Sequence, residues 1–164
     1  MPIVERLRPD HAEAVLAFER ENRAYFARTI PDRGDAYFAH FADRHRALLA
    51  EQAEGVCHFH VVLGDDGAVV ARVNLIDVDP AEGTAELGYR VAEAHAGRGL
   101  ATAAVRQVCR AAAETYGLRA LVAVTDESNA ASRRVLAHNG FAETGRFLLD
   151  GRPAVRFRRP LGGT

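Results

Sequence analysis

The sequence predicts an α/β fold with a mixed, mostly antiparallel sheet flanked by helices. Three observations carry that expectation. Two segments of helical periodicity open the chain. From Cys57 the apolar pattern changes to a period of two, and a glycine-punctuated turn at Gly97 and Gly99 then launches an Ala-rich helical run. The 164 residues, 48% hydrophobic and 26% charged, suit one domain spanning 1–164 with enough apolar side chains for a core.

Residues 4–7 alternate apolar and charged side chains until Pro9 stops them. Pro9-Asp10 is a helix start, and 11–23 carries Ala14, Val15 and Phe18 at helical spacing. Tyr25-Phe26 and 30–34 read as a loop with a turn. A second amphipathic helix is expected over 35–53, with Asp35 as its cap and Phe38, Phe41, His45, Leu48 and Leu49 on one face. Gly55 ends it. Strands follow at 57–63, 68–78 and 84–91, joined by turns at 64–67 and 79–83, which makes an antiparallel meander. The continuous apolar run 118–124 is expected to be buried on both faces. Residues 125–129 cap a helix through Val135-Leu136 that Asn139-Gly140 ends, and 141–149 with 154–157 close the chain as a hairpin around Asp150-Gly151. No repeat, low-complexity segment or linker interrupts this order.

Composition narrows the function. No apolar run approaches the ~20 residues of a membrane helix. The N-terminal residues Met1 to Arg6 have no basic-then-apolar signal pattern, so the cytoplasm is the expected location, with Cys57 and Cys109 reduced and buried. Every one of the 21 basic residues is Arg. Residues 1–82 hold 9 Arg against 15 acids, a net −6, and residues 83–164 hold 12 against 7, a net +5, which together give the −1 of the whole chain. The glycine turn thus lies in the basic half, as suits a phosphate-bearing ligand, although that half is too weakly charged to argue for nucleic acid.

The turn is a candidate phosphate cradle. Glycine takes positive φ and lets backbone approach a ligand, and the helix from Leu100 offers unpaired N–H groups at its positive dipole end. A tight βα turn alone would also use these glycines. A Walker nucleotide site is excluded because no Lys exists. A dinucleotide fingerprint fits poorly, since Thr102 stands where a third Gly belongs and the preceding strand carries Glu86 and Arg90 within a meander.

Three motifs in order resemble the GNAT superfamily of acyl-CoA-dependent N-acetyltransferases, in its RimJ/RimL-like branch. Ala85-Glu86-Leu87-Gly88-Tyr89 is similar to the branch's strand before the turn. Ala96-Gly97-Arg98-Gly99-Leu100-Ala101 matches the family turn except that Ala96 replaces a Gln or Arg. Asn129, Ser132, Val135-Leu136 and Gly140-Phe141 reproduce the helix motif after the next strand at full spacing. The likeness covers nearly the whole chain.

The resemblance implies a GNAT-like sheet with a splayed strand pair forming an acyl-CoA cleft, and acetyl-CoA as acyl donor. Backbone of Tyr89, Arg90 and Val91 would pair with the pantetheine arm. Gly97, Arg98, Gly99, Leu100, Ala101 and Thr102 would hold the pyrophosphate, and Asn129 and Ser132 would contact the CoA arm. Arg98, Arg133 or Arg134 could replace the charge missing at Ala96. Phe26, Tyr37, Phe41 and Asn74 fall where the family lines its acceptor pocket, with core packing the alternative for the aromatics. The acceptor would be a primary amine, either a ribosomal or other protein N-terminus or a small molecule, with no nucleic acid or membrane partner. A homodimer is one assembly open to it.

Direct transfer requires a neutral amine, an oxyanion donor and a proton for the leaving thiolate. At pH 7 an α-amine costs about 1 kcal/mol to deprotonate and a lysine about 4.6 kcal/mol, so the base need not be strong. Glu86 is the candidate base, or else a carboxylate bonded to neighbouring backbone. Some relatives place a Tyr seven residues after the Asn to protonate the thiolate. Leu136 occupies that position, leaving Ser132 as the available donor and a non-catalytic acyl-CoA-binding or sensing module as the alternative function. His58 and His60 share a strand face, but no third ligand is spaced to join them, so no metal is expected.

Overall fold

The computed structural model describes residues 2–162. The strands are β1 (Ile3–Arg6), β2 (His58–Leu63), β3 (Val69–Asp79), β4 (Thr84–Val91), β5 (Ala120–Asp126), β6 (Ala142–Leu149) and β7 (Arg152–Pro160). They form one seven-stranded sheet in the order β1-β2-β3-β4-β5-β7-β6. Only the β4–β5 pair is parallel, and a helical crossover joins these two strands. The helices are α1 (Ala12–Glu21), α2 (Arg23–Phe26), α3 (Asp35–Ala39), α4 (Phe41–Ala53), α5 (Leu100–Glu114) and α6 (Ala130–His138). None is long and apolar enough to cross a membrane.

Strand alternation divides the core between two faces. On one, Val73, Leu75, Leu87, Leu121 and Phe157 pack against Val105 and Val108 of α5 and Leu136 of α6. On the other, Phe59 and Val61 meet Val15 and Phe18 of α1, Phe26 of α2, and Phe41 and Leu48 of α4.

Several expected elements differ. The first helix ends at Glu21, and the stretch read as a loop at Tyr25-Phe26 is the short helix α2. The helix expected over 35–53 is broken at His40. The break separates Phe38 from the buried stripe of Phe41, His45, Leu48 and Gln52, and the Arg23 guanidinium packs 4.4 Å above the Phe38 ring. Asp35 is the first residue of α3 rather than its cap: Gly34 holds the cap position, and the Asp35 carboxylate accepts from Arg23 at 2.8 Å. β5 is less buried on one face than expected: Leu121, Ala123 and Thr125 are buried, whereas Val122 and Val124 on the other face are half-buried and belong to neither core cluster. Cys109 is buried as expected, but Cys57 is half-buried, and both are free thiols.

His58 and His60 are held by Tyr116. The His60 Nδ1–H donates to the Val73 carbonyl at 3.0 Å, so its Nε2 accepts from the Tyr116 hydroxyl at 2.7 Å. The His58 ring stacks on Tyr116 with centroids 3.7 Å apart, and Arg6 donates to His58 Nδ1 at 3.2 Å. Among the described residues no three His, Cys, Asp or Glu side chains are grouped for a metal. Burial lowers the His60 pKa from 6.5 to about 4, so the folded state keeps it neutral where the unfolded chain binds a proton. That contribution to stability is present above pH 6.5 and lost as pH falls towards 4, by about 3 kcal/mol in all. Urea-unfolding free energies measured across that window should fall accordingly. A flat profile would mean that His60 takes its proton without opening the Tyr116 contact.

Candidate functional site

The site begins where two strands part. β4 and β5 are in register only as Thr84↔Ala120, Ala85↔Leu121 and Glu86↔Val122. Beyond Glu86, β4 stays with β3 as far as Ala71↔Val91, and β5 stays with β7 as far as Asp126↔Ala154. The gap between them opens a cleft of about 730 Å³. Tyr89, Arg90 and Val91 form one wall, and Asn129, Ser132 and Val135 of the α6 region form another. The turn and first residues of α5, Gly97 and Gly99 to Thr102, and the segment with Tyr25, Phe26, Arg28, Thr29 and Ile30 complete the lining. No Asp or Glu lines the cleft among the described residues, whereas Arg28, Arg90 and Arg134 do.

The turn has the geometry that the glycines permit. Gly97 and Gly99 have φ of 73° and 78°, a region costly for residues with a Cβ, and no atom lies within 4 Å of where a Cβ would stand on either. No side chain caps α5, so its first N–H groups are left open to the cleft. α6 is capped: Asn129 Oδ1 accepts from the Ser132 amide at 3.1 Å, which leaves the Asn129 Nδ2 for the cleft.

Of the residues singled out by sequence, Tyr89, Arg90, Val91, Gly97, Gly99, Leu100, Ala101, Thr102, Asn129, Ser132 and Phe26 line this cleft. Arg98 is exposed and lies outside the lining. Arg134 lines it, while Arg133 is tied to the Glu127 carbonyl at 3.3 Å and to Glu143 at 3.7 Å. Leu136 is 1% exposed and belongs to the core. Phe41 is buried, with Tyr37 packed edge-on at 5.7 Å, and neither reaches the cleft.

Glu86 also lies outside the lining, at the last registered pair before the strands part. Burial pushes its carboxyl pKa up, the nearby Asp77 charge adds to that, and Arg156 opposes it. Asn74 stands directly opposite Gly88 across β3–β4, and its Oδ1 is buried with no hydrogen-bond partner among the described residues.

Two features escaped the sequence reading. The Tyr89 hydroxyl donates to Ser132 Oγ at 3.1 Å, so a phenol reaches α6 from β4 although Leu136 supplies none. The second is Glu19, whose carboxylate is 1% exposed and is gripped by three guanidiniums. Arg33 Nε and Arg90 Nη1 donate to Oε1 at 3.0 and 2.9 Å, and Arg72 Nη1 donates to Oε2 at 2.8 Å. A signal for it existed: with Val15 and Phe18, Glu19 completes the buried stripe of α1, and a carboxylate there demands a buried counter-ion.

Residues 3–142 match the family profile described as the acetyltransferase (GNAT) domain. A probable N-acetyltransferase of Bacillus subtilis, YjcK, is 31% identical over 148 residues, covering 87% of this chain and 81% of the relative. The crystal structure of a ribosomal-protein-S5-alanine acetyltransferase from Vibrio fischeri superposes with a TM-score of 0.90 at 17% identity, covering 99% of this chain and 97% of that one. Mycobacterium smegmatis RimJ, solved in complex with CoA-disulfide, superposes with a TM-score of 0.84 at 25% identity, over 96% of this chain and 80% of the other. With its parted strands, glycine turn and matching profile, the chain belongs to the GNAT family of N-acetyltransferases.

Proposed function

We propose that the protein moves the acetyl group of acetyl-CoA directly to a primary amine, either a protein or peptide N-terminus or a small molecule. The observation that carries this reading is a cleft running through the sheet at the β4–β5 fork, from an uncapped helix N-terminus to the strand that bears Glu86. The open N–H groups at Gly97 to Thr102 suit the pyrophosphate, and the unpaired edge of β4 at 89–91 suits the amides of the pantetheine arm. Asn129 and Arg134 both line the cleft, which supports an Asn129 Nδ2 donation to that arm and an Arg134 charge in place of the side chain absent at Ala96.

In the reaction the neutral amine nitrogen attacks the thioester carbonyl carbon. A C–N bond forms, the C–S bond breaks, and the electron pair leaves on sulfur. Glu86 takes the proton shed by the amine, directly or through a water, and its raised pKa makes it a stronger base than an ordinary carboxylate. The thiolate is protonated from the Ser132 hydroxyl, which the Tyr89 O–H resupplies through their hydrogen bond, and solvent returns a proton to Tyr89 as Glu86 gives up the one taken from the amine. The pair of Ser132 and Tyr89 fills the role that Leu136 leaves vacant, and so favours turnover over a non-catalytic acyl-CoA sensor.

Incubation with acetyl-CoA and a panel of amines, followed by free thiol, tests the reading. Thiol release above background should accompany at least one amine class, while tight acetyl-CoA binding without release for any amine would favour the sensor. Glu86→Gln should lower kcat/KM by about 100-fold at neutral pH, with a smaller loss above the pKa of the amine, where no base is needed. An unchanged pH–rate profile would remove Glu86 from the mechanism. Asn129→Ala should cost about 1 kcal/mol in unfolding experiments by deleting the α6 cap, whereas Asn129→Asp keeps the cap and should weaken only CoA binding. Equal CoA affinity for wild type and Asn129→Asp would leave Asn129 a structural residue.

A further inference from the structure

We infer that the β4 row Glu86, Gly88 and Arg90, with Asn74 beside it, is the acceptor subsite and takes a primary amine that also carries a carboxylate. The inference rests on the acetyltransferase reading and specifies the partner of that reaction.

The face comes first. Tyr89 reaches α6 through Ser132, and Arg90 reaches α1 through Glu19, so alternate residues of β4 look to opposite sides of the sheet. Glu86 and Gly88 share the Arg90 side, opposite the helix that presents the glycine turn. A donor lying along α5 and α6 therefore leaves this second face free for the acceptor.

Gly88 makes room there. It is exposed, and no atom lies within 4 Å of where its Cβ would stand. Same-face residues on a strand repeat at about 7 Å, so Glu86 and Arg90 stand about 14 Å apart at the backbone, with the open Gly88 midway between their side chains. At one end stands the Glu86 carboxyl, and in the middle Asn74, paired with Gly88, offers a buried Oδ1 without a partner among the described residues. Two oxygen acceptors suit an N–H donor. At the other end the Arg33, Arg72 and Arg90 guanidiniums share the single Glu19 carboxylate, an excess of two positive charges. Arg90 lines the cleft from this cluster and spends only Nη1 on Glu19. Its pKa is lowered chiefly by burial, the mark of a cation short of counter-charge. In the cleft lining, which includes no Asp or Glu among the described residues, a carboxylate on the acceptor finds the Arg90 guanidinium fork. The chemistry is shared by free amino acids and by peptide N-termini with an acidic residue close behind.

The test compares kcat/KM for free amino acids of increasing length with their carboxamides, for short peptides bearing Glu or Gln at the second position, and for diamines. Carboxylates should be preferred by about tenfold or more, and the preference should collapse in Arg90→Gln and partly survive in Arg90→Lys. Preference within one series names the source, amino acid or peptide. Gly88→Val, at an open site without positive φ, should keep the fold and acetyl-CoA affinity by calorimetry yet raise the acceptor KM about tenfold. Equal use of carboxylates and carboxamides, a preference for diamines, or a wild-type KM in Gly88→Val would overturn the inference while leaving acetyl transfer intact. If no amine releases thiol, the acetyltransferase reading fails separately. The subsite is then judged by calorimetry of a hydroxy acid against its amide on the acetyl-CoA-loaded protein, with equal affinities overturning it.

Discussion

The parting of β4 from β5 after Glu86↔Val122 is the constraint on which the rest of the structure depends. A strand inside a sheet satisfies its N–H and C=O groups on both edges, and a buried one left alone costs about 1–3 kcal/mol. β4 keeps β3 along its whole length but has no neighbour on its other edge beyond residue 86. Such an edge is held open only if both sides are braced. On one side Asn139 ties α6 to α5 by donating to the Thr102 and Val135 carbonyls at 3.2 and 3.0 Å. On the other, the Glu19 cluster joins α1 to β3, β4 and Arg33.

That cluster is an electrostatic balance rather than a simple brace. Burial alone would push the Glu19 carboxyl up, yet Arg33, Arg72 and Arg90 together hold it below its ordinary value. The carboxylate is thus more than neutralised, and the surplus falls on the guanidiniums. Arg90 takes that surplus to the cleft wall, where its guanidinium stacks 4.7 Å from the Phe26 ring centroid. Stability of the fork and polarity of the cleft therefore come from the same residues. Asn22 Oδ1, accepting from the Glu93 amide at 2.9 Å, pins the end of α1 to the segment after β4.

Much of this was legible in the sequence because it is local. The strand expected over 84–91 has those bounds, the Gly97 and Gly99 turn takes the positive φ that its spacing required, and Asn129 caps the helix that follows it. The errors lie where distant partners decide. His40 breaks a segment whose periodicity is unbroken, and the break leaves Phe38 beneath Arg23, fifteen positions earlier in the chain. Val122 and Val124 look like a strand buried on both faces because apolar spacing cannot register which face the fold covers: Leu121 and Ala123 join the core beside α5, and Val122 and Val124 join neither core cluster. Tyr89 was legible as backbone, but its hydroxyl bond to Ser132 spans 43 positions.

The difference follows from how each ligand is held. A phosphate gripped by backbone N–H groups needs glycines and a helix start at fixed, short spacing, and fixed spacing is what a sequence displays. An acceptor gripped by side chains needs only that some residues arrive together, and the Arg72–Glu19 and Arg90–Glu19 bonds close over 53 and 71 positions. Net charge by halves misleads for the same reason. The basic half holds the turn, but two of the three cations around Glu19, Arg33 and Arg72, come from the half that is acidic overall. What determines the polarity of the cleft is which charges the fold leaves over once its buried carboxylate is satisfied, and that remainder sits on Arg90, at the fork.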